Sequence, residues 1–412
     1  MDALPRLTAE QTAERLGVKL ETLYAYVARG RLDRERTADG STFDPLDVER
    51  FAATRRRRPS GGPGPSEGRP LMVIETRFAL IDDGELSYRG RPVEELVAEP
   101  FETVARWALT GEWDPAARFT PGAGLAEARA ATAALPAAAG DRDRQLVAVT
   151  ALAAADPLRA SLDPAVVASA AERLVAGMVE VLPGHTANAV ASRAEGTAES
   201  LSRRLLGRLR DSGTDGTLAD DATLLNAALV LLLDHDMAVS TLAARAAASA
   251  RATPYGVVIA GLGALDSSLH GNASRAAHRL LERVAGGTDP ARAIADAVVT
   301  THGPVPGFGQ PLYPDGDPRA RILLGMLSAA DPRHARTTAA VDAVARVMRE
   351  RTGAHPNVDL ALGAVTLALG MRDDAGEVVF ATARAIGWMV HALDEYTQPP
   401  LRLRPVGRYV GP

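Results

Sequence analysis

A loop rich in glycine and proline, with an arginine near its end, is the first segment whose residue types suit ligand chemistry. It runs from His302 to Ala320 and reads HGPVPGFGQPLYPDGDPRA. Glycines allow backbone N–H and C=O groups to approach a ligand closely. Arg319 supplies a planar fork that matches a carboxylate. The pattern alone is a weak indication of a binding loop, in which Gln310 is the chemically decisive position.

Three polar residues interrupt a strongly apolar stretch further up the chain. Asp234, His235 and Asp236 stand within LLNAALVLLLDHDMAVSTLAARAAAS, which otherwise predicts a buried helix. Burying such groups costs free energy unless they meet partners or a ligand. His235 is either a core histidine with satisfied hydrogen bonds or a ligand contact, and taken alone the pattern favours the core histidine.

A second histidine stands at a predicted break between helices, in VVIAGLGALDSSLHGNASRAAHRLLERV. One helix ends at Ser267 and Ser268, and the next begins after Asn272. The helix dipole disfavours an imidazolium at this point, so a neutral His270 can donate a hydrogen bond, for example to an enolate oxygen. A simple turn capped by Asn272 or Ser274 explains the pattern equally well.

Asp359 opens an apolar helix after a Pro-Asn turn, in GAHPNVDLALGAVTLALG. It is either an N-terminal carboxylate stabilised by the helix dipole or a base for a carbon acid. Apolar surroundings raise the pKa of a carboxyl group toward the range that general-base catalysis needs.

Two arginines near the C-terminus are less distinctive. Arg384 lies on a predicted amphipathic helix with Trp388 and His391, and Arg404 precedes a proline in the tail. In a chain so rich in arginine, a single arginine is usually a solvated surface residue.

Composition limits the classes of protein. A length of 412 residues predicts two or three domains, and 46% hydrophobic with 24% charged residues is typical of a globular protein. The absence of cysteine excludes disulfides, cysteine-ligated zinc and thiol catalysis, and the histidines lack the spacing of a zinc site. A net charge of -5 gives no bulk reason for nucleic-acid or membrane binding. Without a signal peptide or a long apolar run, we expect a cytoplasmic protein.

The sequence RRRRPSGGPGPSEGRP, residues 55–70, combines a basic run with a linker at residues 59–70. Before it, residues 1–58 predict a helix, a turn at Gly17, a second helix with Thr22, Tyr24 and Tyr26, a hairpin wing and a closing helix. Residues 5–58 resemble a MerR- or excisionase-type helix-turn-helix, which implies DNA as a partner. Residues 1–58 hold 12 Lys and Arg against 10 Asp and Glu, a thin excess for DNA, so a packing or oligomerisation module is the alternative.

After the linker, apolar stripes of helical period predict an all-α body with a smaller helical subdomain late in the chain. An early exception is TRFALIDDGELSYRGRPVEELV, where an Asp-Gly turn between alternating runs predicts a small hairpin.

Together these segments resemble the citrate synthase family over about residues 71–412, with GELSYRGRPVEEL at Gly84–Leu96 matching its opening region. In having a helix-turn-helix module fused at its N-terminus, the chain resembles a bacterial branch of that family. The resemblance implies a large helical domain of residues 71–275 and 381–412 and a small one of residues 276–380. It also implies a homodimer with no metal and no permanently bound cofactor, using acyl-CoA as co-substrate and a 2-oxo dicarboxylate such as oxaloacetate.

The resemblance assigns roles residue by residue. Asp359 would remove the methyl proton of the acyl-CoA, and His270, facing it across the acyl group, would hydrogen-bond the thioester carbonyl as it enolises. His235 would bind the keto acid. Arg319, Arg384 and Arg404 would hold the two carboxylates of the 2-oxo dicarboxylate. Arg404 would reach across from a partner subunit. The backbone that would cradle the CoA adenine comprises Pro304, Val305, Pro306, Gly307, Phe308 and Gly309.

The sequence departs from the family pattern at one decisive position. Gln310 stands where the family has a histidine that polarises the keto carbonyl and protonates the new alkoxide. An amide donates a hydrogen bond but releases no proton, so loss of this acid would cost roughly 10²- to 10⁴-fold in rate. DSSLHGNAS and HDMAVSTL also differ from the family around His270 and His235, and the loop between Tyr313 and Asp317 has no basic residue for a CoA phosphate.

Two hypotheses follow. The first, favoured by Asp359, is a condensing enzyme that joins acyl-CoA to a 2-oxo acid and is slowed or specialised by Gln310. The second, favoured by Gln310, is a DNA-binding regulator whose degenerate citrate synthase-like body senses a dicarboxylate or acyl-CoA.

Overall fold

The computed structural model describes residues 4–37, 40–57, 74–184, 199–211, 218–267, 273–301 and 304–411. The predicted linker at residues 59–70 and His270 lie outside the described residues. Contacts divide the described chain into two compact units. The first unit combines the residues before 75 with Ala273–Ala368, and the second combines Glu75 to residue 267 with the residues from Leu369 onward.

The N-terminal part of the first unit is a small mixed structure. Its elements are β1 (Leu7–Thr8), α1 (Ala9–Leu16), α2 (Leu20–Ala28), β2 (Glu35–Thr37), β3 (Gly40–Phe43) and α3 (Pro45–Arg57). The three strands form an antiparallel sheet in the order β1-β3-β2. Gly17, at φ 60°, ends α1 in the left-handed conformation that glycine adopts without strain. The elements follow the predicted order, while their membership of a helix-turn-helix family stays a prediction.

The second unit begins with a hairpin and continues as helices. Its elements up to residue 267 are β4 (Ala79–Asp82), β5 (Glu85–Tyr88), β6 (Arg91–Pro92), α4 (Val93–Leu96), α5 (Phe101–Thr110), α6 (Leu125–Ala133), α7 (Asp141–Ala155), α8 (Pro164–Glu180), α9 (Leu201–Leu209), α10 (Leu218–Leu231), α11 (Val239–Ser249) and α12 (Pro254–Leu265). Asp83 and Gly84, both at positive φ, make the tight turn between β4 and β5. The predicted hairpin is therefore present.

The rest of the first unit is helical. It contains α13 (Ala273–Ala285), α14 (Pro290–Thr301), α15 (Pro318–Ala329), a 3₁₀ turn (Pro332–His334), α16 (Ala335–Thr352) and α17 (Val358–Ala368). The second unit then resumes with α18 (Ala375–Tyr396). The mostly helical fold agrees with the predicted all-α class. Among the described residues, no helix is both long and apolar enough to cross a membrane.

The helix α18 forms the centre of the second unit. It packs against α8, α11 and α12, and it is buried on nearly all sides, including the whole side chain of Trp388. A helix that is apolar all round belongs in a core. Its four buried ionisable residues, Glu377, Arg384, His391 and Glu395, must therefore find partners inside the protein.

The N-terminal part is attached to the helical part of the first unit through α3 and α16. Arg351, near the end of α16, lies 3.2 Å from Asp44 and 3.5 Å from Asp47 at the start of α3. Asp44 also caps α3 by accepting hydrogen bonds from the backbone of Leu46 and Asp47. These contacts explain why residues before 75 group with Ala273–Ala368.

The contact division differs from the predicted domain boundaries at residues 369–380. These residues group with the second unit, because α18 is one uninterrupted helix from Ala375 to Tyr396 and a boundary at 380 would cut it. The functional division into a large and a small domain stays a prediction.

Two glycines on α12 give a matched test of packing in the second unit. A Cβ at Gly261 would lie 2.5 Å from the buried indole of Trp388, whereas a Cβ at Gly263 meets nothing within 4 Å. We expect Gly261→Ala to lower the free energy of unfolding by about 1–3 kcal/mol, because the rigid ring cannot yield. Gly263→Ala should raise it by roughly 0.5–1 kcal/mol through helix propensity. Denaturant titration measures both values, and an unchanged or more stable Gly261→Ala would contradict this packing.

Candidate functional site

In the second unit, the predicted site residue His235 lies on the loop between α10 and α11. Tyr88, from the hairpin, holds the beginning of this loop. Its hydroxyl oxygen lies 3.2 Å from the carbonyl oxygens of Val230 and Leu231 and 3.1 Å from that of Asp234. The carbonyls of Val230 and Leu231 belong to the end of α10, where backbone groups lack partners within the helix, and that of Asp234 belongs to the loop. Tyr88 therefore fixes the loop that carries His235.

Asp234 begins a chain of buried hydrogen bonds on the same loop. Its Oδ2 lies 2.9 Å from Nε2 of His391, and Nδ1 of His391 lies 3.0 Å from Nη1 of Arg245. Because arginine only donates, Nδ1 of His391 accepts, which assigns the proton of a neutral imidazole to Nε2, facing Asp234. Arg245 and Arg402 both pair with Glu395, at 2.9 and 2.6 Å. The chain thus links the C-terminal segment to Asp234.

Arg384, a predicted carboxylate ligand, is 1% exposed on α18. Its Nε donates to the carbonyl of Leu232 at 2.9 Å, and its guanidinium carbon lies 4.7 Å from the centre of the Phe380 ring. Burial alone would raise the pKa of Asp234, but His391 and Arg384 outweigh burial and hold the pKa of Asp234 below its ordinary value. An ionised Asp234 beside Arg384 leaves this cluster electrostatically balanced.

In the first unit, the predicted adenine cradle is a loop packed onto the start of α17. Within it, Val305 to Phe308 are buried, and Gly307 and Gly309 have φ values of 81° and 77°. A Cβ at Gly307 would lie 2.7 Å from the Cβ of Leu360. Only glycine permits both this conformation and this close approach.

Arg319 is held at the start of α15 by its neighbour Asp317. Nε and Nη2 of Arg319 donate to the two carboxylate oxygens of Asp317 at 2.9 and 2.7 Å. Asp317 also accepts from the backbone N–H of Val358 at 3.0 Å, which ties α15 to α17. The ring centre of Tyr313 lies 5.8 Å from the guanidinium carbon. A bidentate, stacked arginine of this kind has one orientation, as recognition of a planar carboxylate requires.

Asp359 stands in the first turn of α17, as its sequence position predicted. The residue keeps some solvent exposure, but protein surrounds its carboxyl group. Burial raises the pKa of Asp359 to about 6; the charge of Arg319 opposes this shift, and the charge of Asp317 adds to it. A carboxylate with this pKa is mostly ionised at neutral pH and still basic enough to accept a proton from a carbon acid.

Gln310 follows the buried loop and is partly exposed. Its backbone carbonyl accepts from the N–H of Tyr313 at 3.0 Å, which forms a turn. Its side-chain oxygen lies 3.5 Å from the backbone nitrogen of Leu312, too far for a strong hydrogen bond.

The structure thus groups the predicted residues into two clusters. The first unit contains Gln310, Arg319, Asp359 and the loop Pro304–Gly309, and the second unit contains His235 and Arg384. Arg404 lies in the exposed C-terminal segment, outside both clusters. Among the described residues, no group of three or more His, Asp and Glu could hold a metal ion.

Sequence reasoning missed five residues that position these clusters. They are Tyr88, Arg245, Asp317, Asn357 and Glu395. Glu395 carries a usable signal, because it follows His391 by four residues on a strongly apolar helix and so shares its face. Asp317 and Asn357 are of residue types that cap the helices they precede. Tyr88 and Arg245 act through partners far along the chain.

Comparison with known proteins identifies the family. The model of the family "Citrate synthase, C-terminal domain" matches residues 68–406, so the chain belongs to the citrate synthase family. It is 32% identical over 197 residues to the citrate synthase of Deinococcus radiodurans, covering 47% of this chain and 52% of that relative. The 2-methylcitrate synthase 1 of Corynebacterium glutamicum is 30% identical over 207 residues, covering 49% and 53%. The chain therefore spans about half the length of the curated relatives it matches.

Solved structures give the same result over a longer span. The ternary complex of Thermoplasma acidophilum citrate synthase with carboxymethyl coenzyme A and oxaloacetate has a TM-score of 0.66 and 25% identity, covering 83% of this chain and 95% of that one. The citrate synthase of Thermotoga maritima has a TM-score of 0.59 and 23% identity, a likeness of fold. The predicted resemblance to the citrate synthase family is confirmed.

The raised pKa of Asp359 has a measurable effect on stability. A pKa of about 6 in the folded protein, against an ordinary 3.8, means that folding disfavours the ionised carboxylate. This penalty is absent below pH 3.8 and complete above pH 6. Asp359→Asn removes it, so the free energy of unfolding should rise at pH 8 by up to about 3 kcal/mol, less for the remaining exposure, and stay nearly constant at pH 4.

Denaturant titration of Asp359→Asn at the two pH values measures the difference. Asp342→Asn, which removes an exposed carboxylate from α16, is the control for the loss of one negative charge. If the difference in free energy of unfolding between Asp359→Asn and wild type is the same at pH 4 and pH 8, the raised pKa is contradicted.

Proposed function

We propose that this chain is a condensing enzyme of citrate synthase type. It would join acetyl-CoA and oxaloacetate to give citrate and CoA, or use a related acyl-CoA and 2-oxo acid. The observation that carries this proposal is Asp359, a desolvated carboxylate with a pKa raised to about 6 at the start of an apolar helix. Names of the relatives support the same class, since they are citrate synthases and a 2-methylcitrate synthase.

The first step is removal of a proton from the methyl group of the acyl thioester. Asp359 takes this proton, and the electron pair of the C–H bond moves onto the thioester carbonyl to form an enolate. His270 donates a hydrogen bond to the enolate oxygen, in the role that the family resemblance assigns to it. A base and a hydrogen-bond donor acting together lower the barrier more than either alone.

The second step forms the carbon–carbon bond. The enolate carbon attacks the keto carbon of the 2-oxo acid, whose carbonyl oxygen becomes an alkoxide and then takes up a proton. His235, Arg319, Arg384 and Arg404 bind the 2-oxo acid and its carboxylates. The fixed orientation of Arg319 by Asp317 and of Arg384 by Leu232 supports these assignments. Water then cleaves the thioester and releases CoA.

Gln310 replaces the residue that would protonate the alkoxide. Its amide can polarise the keto carbonyl through a hydrogen bond, but the proton must come from water or another group. We infer that condensation is slowed, or that the enzyme uses a different electrophile whose condensation does not need an acid at this position.

The acyl-CoA acts as a co-substrate, held by the backbone of Pro304–Gly309, and no cofactor stays bound. A ligand cradled by backbone groups needs a rigid loop, which the packing of Gly307 on Leu360 provides.

We also propose a homodimer in which Arg404 acts on the partner's substrate. The C-terminal segment that follows Arg404 leaves Val406 98%, Tyr409 83% and Val410 85% exposed. Large apolar side chains at such exposure are typical of segments that bind another surface. The molar mass in solution, with and without residues 404–412, tests this assembly.

The proposed activity predicts a pattern among three proteins. Wild type should release thiol from acetyl-CoA with oxaloacetate, Asp359→Asn should fall to background, and Gln310→His should gain roughly 10²- to 10⁴-fold by restoring an acid. The rate should rise with pH and level off above about 6, because only ionised Asp359 accepts a proton. Coupled thiol detection and mass spectrometry across acyl-CoAs and 2-oxo acids measure this pattern.

Gln398→His, on the exposed end after α18, controls for adding a histidine elsewhere. Silence of both wild type and Gln310→His across the whole panel would refute the condensing enzyme for those substrates. A silent wild type with an active Gln310→His would favour the regulator hypothesis instead.

We propose as the second function that residues 5–58 bind DNA. The observation in its favour is the pair of helices joined at Gly17, with Tyr24 39% exposed on the second helix and Arg36 exposed on the adjoining hairpin. A helix presenting polar and aromatic groups beside a strand with an exposed arginine suits a groove and its phosphates.

Binding of DNA predicts a salt-dependent mobility shift with genomic fragments. Arg36→Ala should weaken binding uniformly across sequences and reduce the slope of log affinity against log salt by about 1, because one phosphate contact is lost. Arg349→Ala removes an exposed charge from α16 and should leave binding unchanged. No shift at low salt with wild type would end this proposal.

A further inference from the structure

Asn357 joins the loop Pro304–Gly309 to the first turn of α17. Its backbone N–H donates to the carbonyl of Gly307 at 2.9 Å, and its side-chain Nδ2 donates to the carbonyl of Gly309 at 3.0 Å. On the other side, its Oδ1 accepts from the N–H of Asp359 at 3.0 Å, and its carbonyl accepts from Leu360 at 3.1 Å. Every polar group of Asn357 therefore serves one of two elements: the loop or the base-bearing turn.

Neighbouring contacts prevent the loop from moving independently of this turn. The N–H of Gly309 donates to the carbonyl of His355 at 2.9 Å, and Phe308 and Pro356 form an isolated antiparallel bridge. Gly307 lies so close to Leu360 that an added Cβ would come within 2.9 Å of its Cα. Since packed interiors transmit displacements instead of absorbing them, a shift of the loop must shift the backbone that carries Asp359.

We propose that Asn357 is a positioning residue that couples occupation of the loop Pro304–Gly309 to the alignment of Asp359. The inference rests on the proposed function and names a further role in it. Binding of the nucleotide end of acyl-CoA fixes the position of the loop. Through the hydrogen bonds of Asn357, the fixed loop also holds the backbone of Asp359 in place. Binding free energy from a part of the substrate that does not react is thereby used to orient the catalytic base.

The substitution Asn357→Ser separates this role from a merely structural one. Serine keeps a side-chain oxygen that caps α17 by accepting from the N–H of Asp359. It loses the amide that donates to Gly309. Thermal unfolding of the variant checks that α17 still forms, so the connection to the loop is the main loss.

Two thioesters provide the kinetic test. In wild type, acetyl-pantetheine, which lacks the nucleotide, should have a kcat about tenfold or more below that of acetyl-CoA, because a loosely held base is misaligned. In Asn357→Ser, kcat for acetyl-CoA should fall to nearly the wild-type value for acetyl-pantetheine, and kcat for acetyl-pantetheine should change little. The KM for acetyl-CoA should stay within about threefold, since backbone groups of the loop still bind the nucleotide.

Asn226 is the matched control. In the second unit, its Oδ1 accepts from the N–H of Phe101 and its Nδ2 donates to the carbonyl of Glu99, both at 2.8 Å. Asn226→Ser loses the same kind of amide hydrogen bond, so it should lower stability but keep the wild-type ratio of the two kcat values. An equal loss of kcat for both thioesters in Asn357→Ser would overturn the proposal.

Hydrogen exchange with CoA itself tests the coupling without turnover. In wild type, CoA should slow amide exchange in both the loop and residues 358–361. In Asn357→Ser, it should protect the loop alone. The coupling is overturned if CoA protects the loop but not residues 358–361 in wild type. It is also overturned if CoA protects both the loop and residues 358–361 in Asn357→Ser. No protection of the loop in wild type overturns the CoA assignment in the proposed function as well.

Discussion

The carboxylate of Asp317 is the interaction on which the arrangement of the first unit depends. It caps α15 through the N–H of Arg319, holds the guanidinium of the same residue in two hydrogen bonds, and accepts from Val358 at the start of α17. Burying a charged pair is costly unless its remaining hydrogen-bonding capacity is used. Here it is used, so one buried anion sets both the orientation of a cation and the position of a second helix.

The same carboxylate shapes the electrostatics around Asp359. Asp317 and Arg319 act on the pKa of Asp359 in opposite directions, and burial, the largest influence, decides the result. An isolated Arg319 would lower the pKa of Asp359 and weaken it as a base, whereas an isolated Asp317 would raise it further. The ion pair therefore allows Arg319, the proposed carboxylate ligand, to stand near Asp359, the proposed base, while the pKa of Asp359 stays raised. In the second unit, the linked side chains of Asp234, His391, Arg245 and Glu395 keep a buried arginine, Arg384, in a balanced environment by similar means.

Much of the fold could be predicted from the sequence because its signals are local. The apolar periodicity, the Asp83–Gly84 turn and the helix with Asp359 in its first turn each depend on residues a few positions apart. The positioning contacts could not be predicted, since they join distant segments: Tyr88 to Asp234 is separated by 146 residues, and Asp317 to Val358 by 41. The predicted domain boundary at residue 380 stays a prediction, and the contact division places residues 369–380 with the second unit. Composition does not reveal that α18 is one continuous helix serving a single core.

Deuterium exchange into the methyl group of acetyl-CoA in D₂O, with malate as an unreactive dicarboxylate, tests most directly whether Asp359 is a carbon-acid base. Exchange requires proton abstraction alone and does not depend on Gln310 or on the later steps. We expect wild type to incorporate deuterium at a rate that rises with pH and levels off above about 6, and Asp359→Asn to incorporate none. Equal incorporation by wild type and Asp359→Asn, or none by either, would contradict it.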